Sequence, residues 1–149
     1  MQCERFFKII AVGRMKDKNL EHLTSELLTR LRKYGKTDIT VLPDSDVARE
    51  GAAIIRELDK ERNSTVFVLS EEGTEWNTVA FSSKLQALDR RAVFVIGGPF
   101  GLAPEVKQRA DFLWSLSKLT FTHEMARYLL CEQLFRAMNY LNGGTYHHL

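Results

Sequence analysis

Ala92-Val93-Phe94-Val95-Ile96-Gly97-Gly98-Pro99-Phe100-Gly101 is an unbroken apolar run that ends in a glycine-rich turn. A run without polar interruption suits a strand covered on both faces, and such strands belong to the interior of a parallel sheet. Gly97 and Gly98 remove Cβ atoms at the carboxyl end of that strand, which is the end where open α/β sheets bind their ligands. The turn reads two ways: as a tight turn only, or as a cradle whose backbone a ligand approaches.

Working outward, apolar strands alternate with helical periodicity along the whole chain. Phe6 to Val12 predicts a strand closed by Gly13, and Leu20, Leu23, Leu27 and Leu31 predict a helix that Gly35 is placed to end. Ile39 to Leu42 predicts a second strand stopped by Pro43, and Ser45 or Asp46 can cap a helix running to about Glu61. Thr65 to Leu69 reads as a third strand. It opens into a loop from Ser70 to Trp76, which Asn77 or Thr78 caps into a helix holding Phe81, Leu85 and Leu88. After the glycine turn, Pro104 fits the first position of a short helix. Phe112 to Leu116 is a fifth strand, and the longest helix runs from near Thr122 to Leu141, ended by Gly143 and Gly144. This alternation predicts an α/β fold, a parallel sheet with helices on both faces, in one domain spanning residues 1–149.

Composition narrows the function classes. With 44% hydrophobic and 27% charged residues, and no apolar run near the ~18 residues of a membrane helix, the expectation is a globular cytoplasmic protein without a membrane partner. The start of the chain carries only Phe6 and Phe7 before Lys8, too little for a signal peptide. Cys3 and Cys131 are the only cysteines, and the four histidines lack the i, i+4 spacing of a helical zinc pair, so no metal site is expected. Neither a Gly-x-Gly-x-x-Gly turn in the first βα unit nor a Walker A sequence is present, which argues against a dinucleotide oxidoreductase and a triphosphatase. The net charge of +2 permits an anionic partner, and the basic clusters at Arg14, Lys16, Lys18 and at Lys84, Arg90, Arg91 fit solvated faces.

Three loops remain: Leu69 to Gly73, Gly97 to Gly101, and Leu116 to Phe121. Each follows an apolar strand, so in a parallel sheet they share one edge and can line one pocket rich in backbone groups. That pocket suits a ligand with an adenine or ribose to hydrogen-bond. Beside it the long helix brings His123 and Arg127 in its first turns, groups able to move a proton and to hold negative charge. Glu132 and Arg136, at i, i+4, read as a surface pair. The rival reading of the fold is a non-catalytic doubly wound binding or signalling module.

Val95-Ile96-Gly97-Gly98-Pro99-Phe100-Gly101-Leu102, Trp114 to His123, Arg127, Glu132 to Ala137, and terminal Tyr146-His147 together resemble the RlmH-type methyltransferases of the SPOUT class, along the whole chain. That family uses S-adenosyl-L-methionine to methylate N3 of a pseudouridine in 23S ribosomal RNA, on the ribosome. The resemblance implies cofactor contacts at Leu69, Gly97, Gly98, Leu116, Ser117, Lys118, Leu119, Thr120 and Phe121. It implies a catalytic group of His123, Arg127, Tyr146 and His147, with either histidine the candidate base, and RNA contacts at Arg14, Arg136 and His148. It also implies a homodimer in which the tail reaches the partner's site, and a deep trefoil knot at the carboxyl end that spacing rules do not announce. Two departures stand out: His148-Leu149 replaces the family's basic residue after Tyr-His, and Thr122 stands where the family usually has proline.

Overall fold

A computed structural model describes residues 5–148. Five strands, β1 (Arg5–Val12), β2 (Gly35–Leu42), β3 (Ser64–Glu75), β4 (Arg91–Ile96) and β5 (Phe112–Ser115), form one sheet in the order β2-β1-β4-β3-β5, and every pairing is parallel. The helices are α1 (Lys18–Leu31), α2 (Val47–Lys60), α3 (Thr78–Gln86), α4 (Pro104–Gln108) and α5 (His123–Leu141).

The period-two alternation of strands separates two cores. Phe7, Ile9, Ala11, Phe67, Leu69, Phe94, Ile96 and Trp114 face α1, α3 and α5, whereas Ile10, Val12, Val66, Val68, Val93 and Val95 face α2 and α4. The first core is built on rings: Phe67 stacks on Phe94 at 4.7 Å and on Phe112 at 5.1 Å, and meets Phe81, Trp76 and Trp114 edge-on. The second consists of β-branched residues, which tile a flat pleated surface. Cys131 is fully buried in the aromatic core, and burial pushes its thiol up to about 12, so it is a packing residue with little thiolate at neutral pH.

Side-chain caps set the helix starts. Asp17 accepts from the Asn19 and Leu20 amides, Asp46 from Arg49, Asn77 from Ala80 and Thr122 from Met125, each satisfying a donor that helix geometry leaves orphaned. Where the sequence offered two caps, the structure uses Asp46 over Ser45 and Asn77 over Thr78. Thr122 takes over the helix entry where the family usually has proline. Gly143, with φ of +79°, sits just beyond α5 as expected of a helix stop.

Three boundaries differ from expectation. Gly35 does not end α1; it opens β2, where it lies so close to the Arg5 carbonyl that a Cβ would collide with it. Helix α1 stops earlier, at Arg32, on ordinary right-handed geometry. β2 therefore starts four residues before Ile39, paired along the full length of β1. The stretch after Leu69 is not a free loop either, because β3 runs on to Glu75 and pairs again with β5 after a register break between Leu69 and Thr74. Gly73 makes that second pairing possible: a Cβ there would strike the Leu113 carbonyl and the Trp114 amide. Gly73→Ala is accordingly expected to lower unfolding free energy by about 1–3 kcal/mol, as overpacking against backbone does, and urea titration measures it.

Candidate functional site

A cavity of about 590 Å³ opens near the carboxyl edge of the sheet, lined by Trp76, Asn77, Thr78, Val79, Phe81, Trp114, Leu116, Phe121, Leu129, Gln133 and His147. Its volume is in the range that small-molecule sites occupy. The lining comes from the end of β3, the first turn of α3, the end of β5 with its following loop, the middle of α5, and the tail. Thr78 Oγ1 donates to Gln133 Oε1 at 2.8 Å, joining α3 to α5 across the lining. Trp114 is 3% exposed, and its indole nitrogen has no hydrogen-bond partner. A buried N–H without an acceptor is uncommon and costly, and this one lies behind the wall that the ring presents.

The loop after β5 is held on the β3 extension. Lys118 Nζ donates to the carbonyls of Glu71 (3.2 Å) and Gly73 (3.3 Å), Thr120 Oγ1 donates to Glu71 Oε1 (3.0 Å), and Ser115 Oγ donates to the Ser117 carbonyl (2.8 Å). Ser117 Oγ in turn accepts from the Leu119 amide, leaving the Leu119 side chain exposed at the tip. These bonds fix the path of the 116–121 segment and present Leu116 and Phe121 to the cavity.

The tail folds back on α5 of its own chain. The Tyr146 amide donates to Asn139 Oδ1, its ring packs on Phe135 and lies under the Arg30 and Arg136 guanidinia, and its hydroxyl donates to Glu132 Oε1 at 3.1 Å. Burial, followed by the neighbouring Glu132 carboxylate, holds the Tyr146 phenol above its ordinary range, so it stays a hydrogen-bond donor. Glu132 also accepts from Arg136 Nε (2.8 Å) and Nη2 (2.6 Å), and this bond holds the guanidinium above its ordinary range. Glu132 and Arg136 thus form the i, i+4 pair read from their spacing, but it is largely covered and serves as the root of the tail.

Arg136 Nη1 lies 3.2 Å from His147 Nδ1. A guanidinium only donates, so Nδ1 must accept, and the neutral ring carries its proton on Nε2. His147 therefore offers the cavity an N–H donor. With Nδ1 engaged in this way, a role as base requires the ring to leave Arg136.

Other expected site residues lie elsewhere. Arg127 is 4% exposed and donates through Nη2 to the carbonyls of Gly13 (2.6 Å) and Val12 (3.3 Å), clamping the turn after β1. Burial lowers its pKa. Nη2 of the guanidinium is thus engaged by backbone, while Nε is buried without a partner. Gly97 and Gly98 also differ from expectation. A Cβ on Gly97 would overlap Leu102, and one on Gly98 would press on Glu50 and Val12, so the missing side chains admit neighbours from the same chain. Glu50 is itself buried, with Oε2 accepting from the Ser45 amide and Oε1 unpaired beside that glycine. Leu69 belongs to the aromatic core. His123 opens α5 half-buried and outside the cavity lining, while Arg14 and His148 are exposed.

Glu124, unremarked by its motif context, accepts from the amides of Lys16 (2.7 Å) and Asp17 (2.9 Å) and so ties the start of α5 to the start of α1. The Asp17 amide, then that of Lys16, holds its carboxyl below the ordinary range. A carboxyl lowered on folding contributes stability above its unfolded pKa and loses it as pH falls through its folded pKa. Glu124→Gln should consequently be less stable than the parent at pH 7, and the gap should close on acidification through that window in parallel urea titrations.

A family model described as a predicted SPOUT methyltransferase matches residues 6–147. The chain belongs to this family. Among curated relatives, the ribosomal RNA large subunit methyltransferase H of Gloeobacter violaceus is 34% identical over 149 residues, covering 95% of this chain and 97% of that protein. The protein of the same name from Prochlorococcus marinus is 40% identical over 142 residues, covering 95% and 94%. Solved SPOUT-like folds are more distant in sequence. A probable methylase family protein from Haemophilus influenzae superposes with a TM-score of 0.59 at 15% identity, over 97% of this chain and 70% of that one. The SpoU methyltransferase AviRb of Streptomyces viridochromogenes, solved with AdoMet, gives 0.52 at 10% identity, over 97% and 61%. Both show that this SPOUT chain shares their fold. Among the described residues no helix is long and apolar enough to cross a membrane, and no group of three or more His, Cys, Asp or Glu residues is placed to hold a metal ion.

Proposed function

We propose that this SPOUT protein methylates N3 of a pseudouridine in 23S ribosomal RNA, using S-adenosyl-L-methionine, on the assembled ribosome in the cytoplasm, as a homodimer. The observation that carries the reading is the convergence of Leu116, Phe121 and His147 on one cavity, in a family whose near-full-length relatives bear the name of large-subunit ribosomal RNA methyltransferases. The cavity fits the cofactor on the chain's own terms: polar side chains at Asn77, Thr78 and Gln133, apolar walls at Trp114, Leu116 and Phe121, and a segment from Ser117 to Thr120 anchored by its own hydrogen bonds. Leu69, Gly97 and Gly98 contribute through backbone. When bound, the cofactor supplies an electrophilic methyl group.

The chain's residues then divide the remaining work. His147, donor at Nε2, stabilises charge that gathers on a uracil oxygen as N3 loses its proton. The proton itself leaves to His123 or to water, since the His147 lone pair is engaged by Arg136. Tyr146 and Glu132 hold the tail, Arg127 holds the β1 turn, and Arg14, Arg136 and His148 remain the candidates for RNA phosphates. The trefoil knot is part of the same reading, supported by the close crossing of the 116–122 segment with the β3 extension before α5 enters between α1 and α3. Residues 1–149 act as a single domain in this reading.

The test is transfer of a tritiated methyl group to intact ribosomes with and without the pseudouridine, followed by mass spectrometry of the nucleoside. Methyl on N3 of pseudouridine is the expected product. Equal labelling of unmodified uridine would overturn the substrate, and absence of cofactor binding by calorimetry would leave the non-catalytic module as the better reading.

A further inference from the structure

At the opposite, amino-terminal edge of the sheet a groove of about 900 Å³ is lined by residues at the starts of three strands, Arg5 of β1, Lys36 of β2 and Arg91 of β4, together with Lys33, Arg90 and Asp89. Five of these six side chains are basic and one is acidic, in a chain whose whole net charge is +2. These six side chains carry a formal charge of about +4, so the rest of the chain is formally acidic and the groove is a concentration of positive charge. A field concentrated in a groove recruits anions far better than the same charges dispersed.

The individual side chains divide into builders and donors. Arg5 donates to the carbonyls of Leu88 (3.1 Å) and Gln86 (3.2 Å) and shapes the wall. Arg91 lies over the Phe6 ring and 3.8 Å from Glu61, and Arg90 lies 3.7 Å from Asp89, both at ion-pair range without a close hydrogen bond. Lys33 and Lys36 make no ion pair among the described residues, and Lys33, Lys36, Arg90 and Arg91 are all exposed. Interleaved amides at Asn63, Gln86 and Asn142, and the Tyr34 ring, supply contacts for sugars and bases.

We propose that this groove is a second RNA site, remote from the reaction centre, that binds the sugar–phosphate backbone of ribosomal RNA. The strands put it roughly 20–25 Å from the cofactor edge, the length of about seven residues at ~3.3 Å each. Contacts to phosphate fix register and orientation without reading sequence. That is what an enzyme with a small cavity needs in order to place one nucleotide of a very large substrate. The inference rests on the RNA methyltransferase reading above.

The test uses full-length protein and purified intact ribosomes. Lys33→Ala, Lys36→Ala and Arg90→Ala are combined in one variant, all at exposed positions, and binding is measured against KCl concentration beside parent protein. Removing three phosphate contacts should flatten the slope of log K against log salt by about 2–3 and weaken binding at least about tenfold near 100 mM salt. KM for ribosomes should rise with kcat at saturation retained, and calorimetry with S-adenosyl-L-methionine should be unchanged. An unchanged salt slope would overturn the proposal. So would weaker binding with an unaltered slope, which would mark the face as a contact for protein. If the parent protein transfers no methyl group, the reading of function fails instead, while the salt slopes still report on the groove.

Discussion

Phe67→Ala should lower the unfolding free energy by about 3–5 kcal/mol, the largest stability loss expected from a single aromatic truncation in this chain. Phe67 is fully buried at the centre of β3, stacked between Phe94 and Phe112 and met edge-on by Phe81, Trp76 and Trp114. Its removal deletes apolar area and leaves a hole that five rigid rings, locked by one another, cannot collapse to fill. Phe67→Leu separates the two components, since leucine refills most of the volume without the ring contacts; its cost should fall well below that of alanine. Urea titrations of the three proteins measure this, and a loss under about 1.5 kcal/mol for the alanine variant would show that the aromatic core rearranges freely.

His147→Ala should reduce the single-turnover rate of methyl transfer by about 10²–10³, the usual cost of removing one donor aimed at developing negative charge. His147→Gln discriminates between roles. Glutamine can present an N–H in the same direction but cannot take a proton, so it should recover part of the loss if the ring acts as a donor, and none if it acts as a base. Glu132→Gln should act more mildly, because Tyr146 and Arg136 keep other partners while the tail loosens. Rapid-quench assays at saturating cofactor provide the rates, with cofactor affinity measured separately. Alanine and glutamine variants of equal, full activity would remove His147 from the reaction.

Local features were the legible ones. Apolar runs located β1, β3, β4 and β5, and short polar residues located three helix starts, because strand burial and capping are decided within a few residues. Gly35 misled for the same reason: a glycine after a leucine-rich helix looks like a stop, and only the pairing with Arg5 reveals the close backbone approach that requires it. Of the three loops that the sheet-edge argument grouped, only 116–121 lines the cavity, and other walls come from Thr78, Leu129 and Gln133, on helices joined by a bond between residues 55 apart. No window of local periodicity contains that information. Trp114 was legible as a strand residue; its unpartnered nitrogen was not, since satisfaction of a polar atom is a property of the folded neighbourhood. The glycine turn shows the limit most clearly. Its missing Cβ atoms were read as space for a ligand, and the neighbours that occupy the space are Leu102 and Glu50.

Helix α5 completes the aromatic core with Leu130, Cys131, Leu134 and Phe135, clamps β1 through Arg127, lines the cavity with Leu129 and Gln133, and roots the tail through Glu132 and Arg136. All five strands precede it in the chain. During synthesis, then, the sheet's aromatic face has no cover until this helix has left the ribosome, and a chain interrupted before it has neither a finished hydrophobic interior nor a place for the methyl donor. A chain that stops short of α5 leaves Phe67, Phe81 and Phe94 uncovered and lacks the cavity walls at Leu129 and Gln133, so the core and the cavity depend on the same last helix.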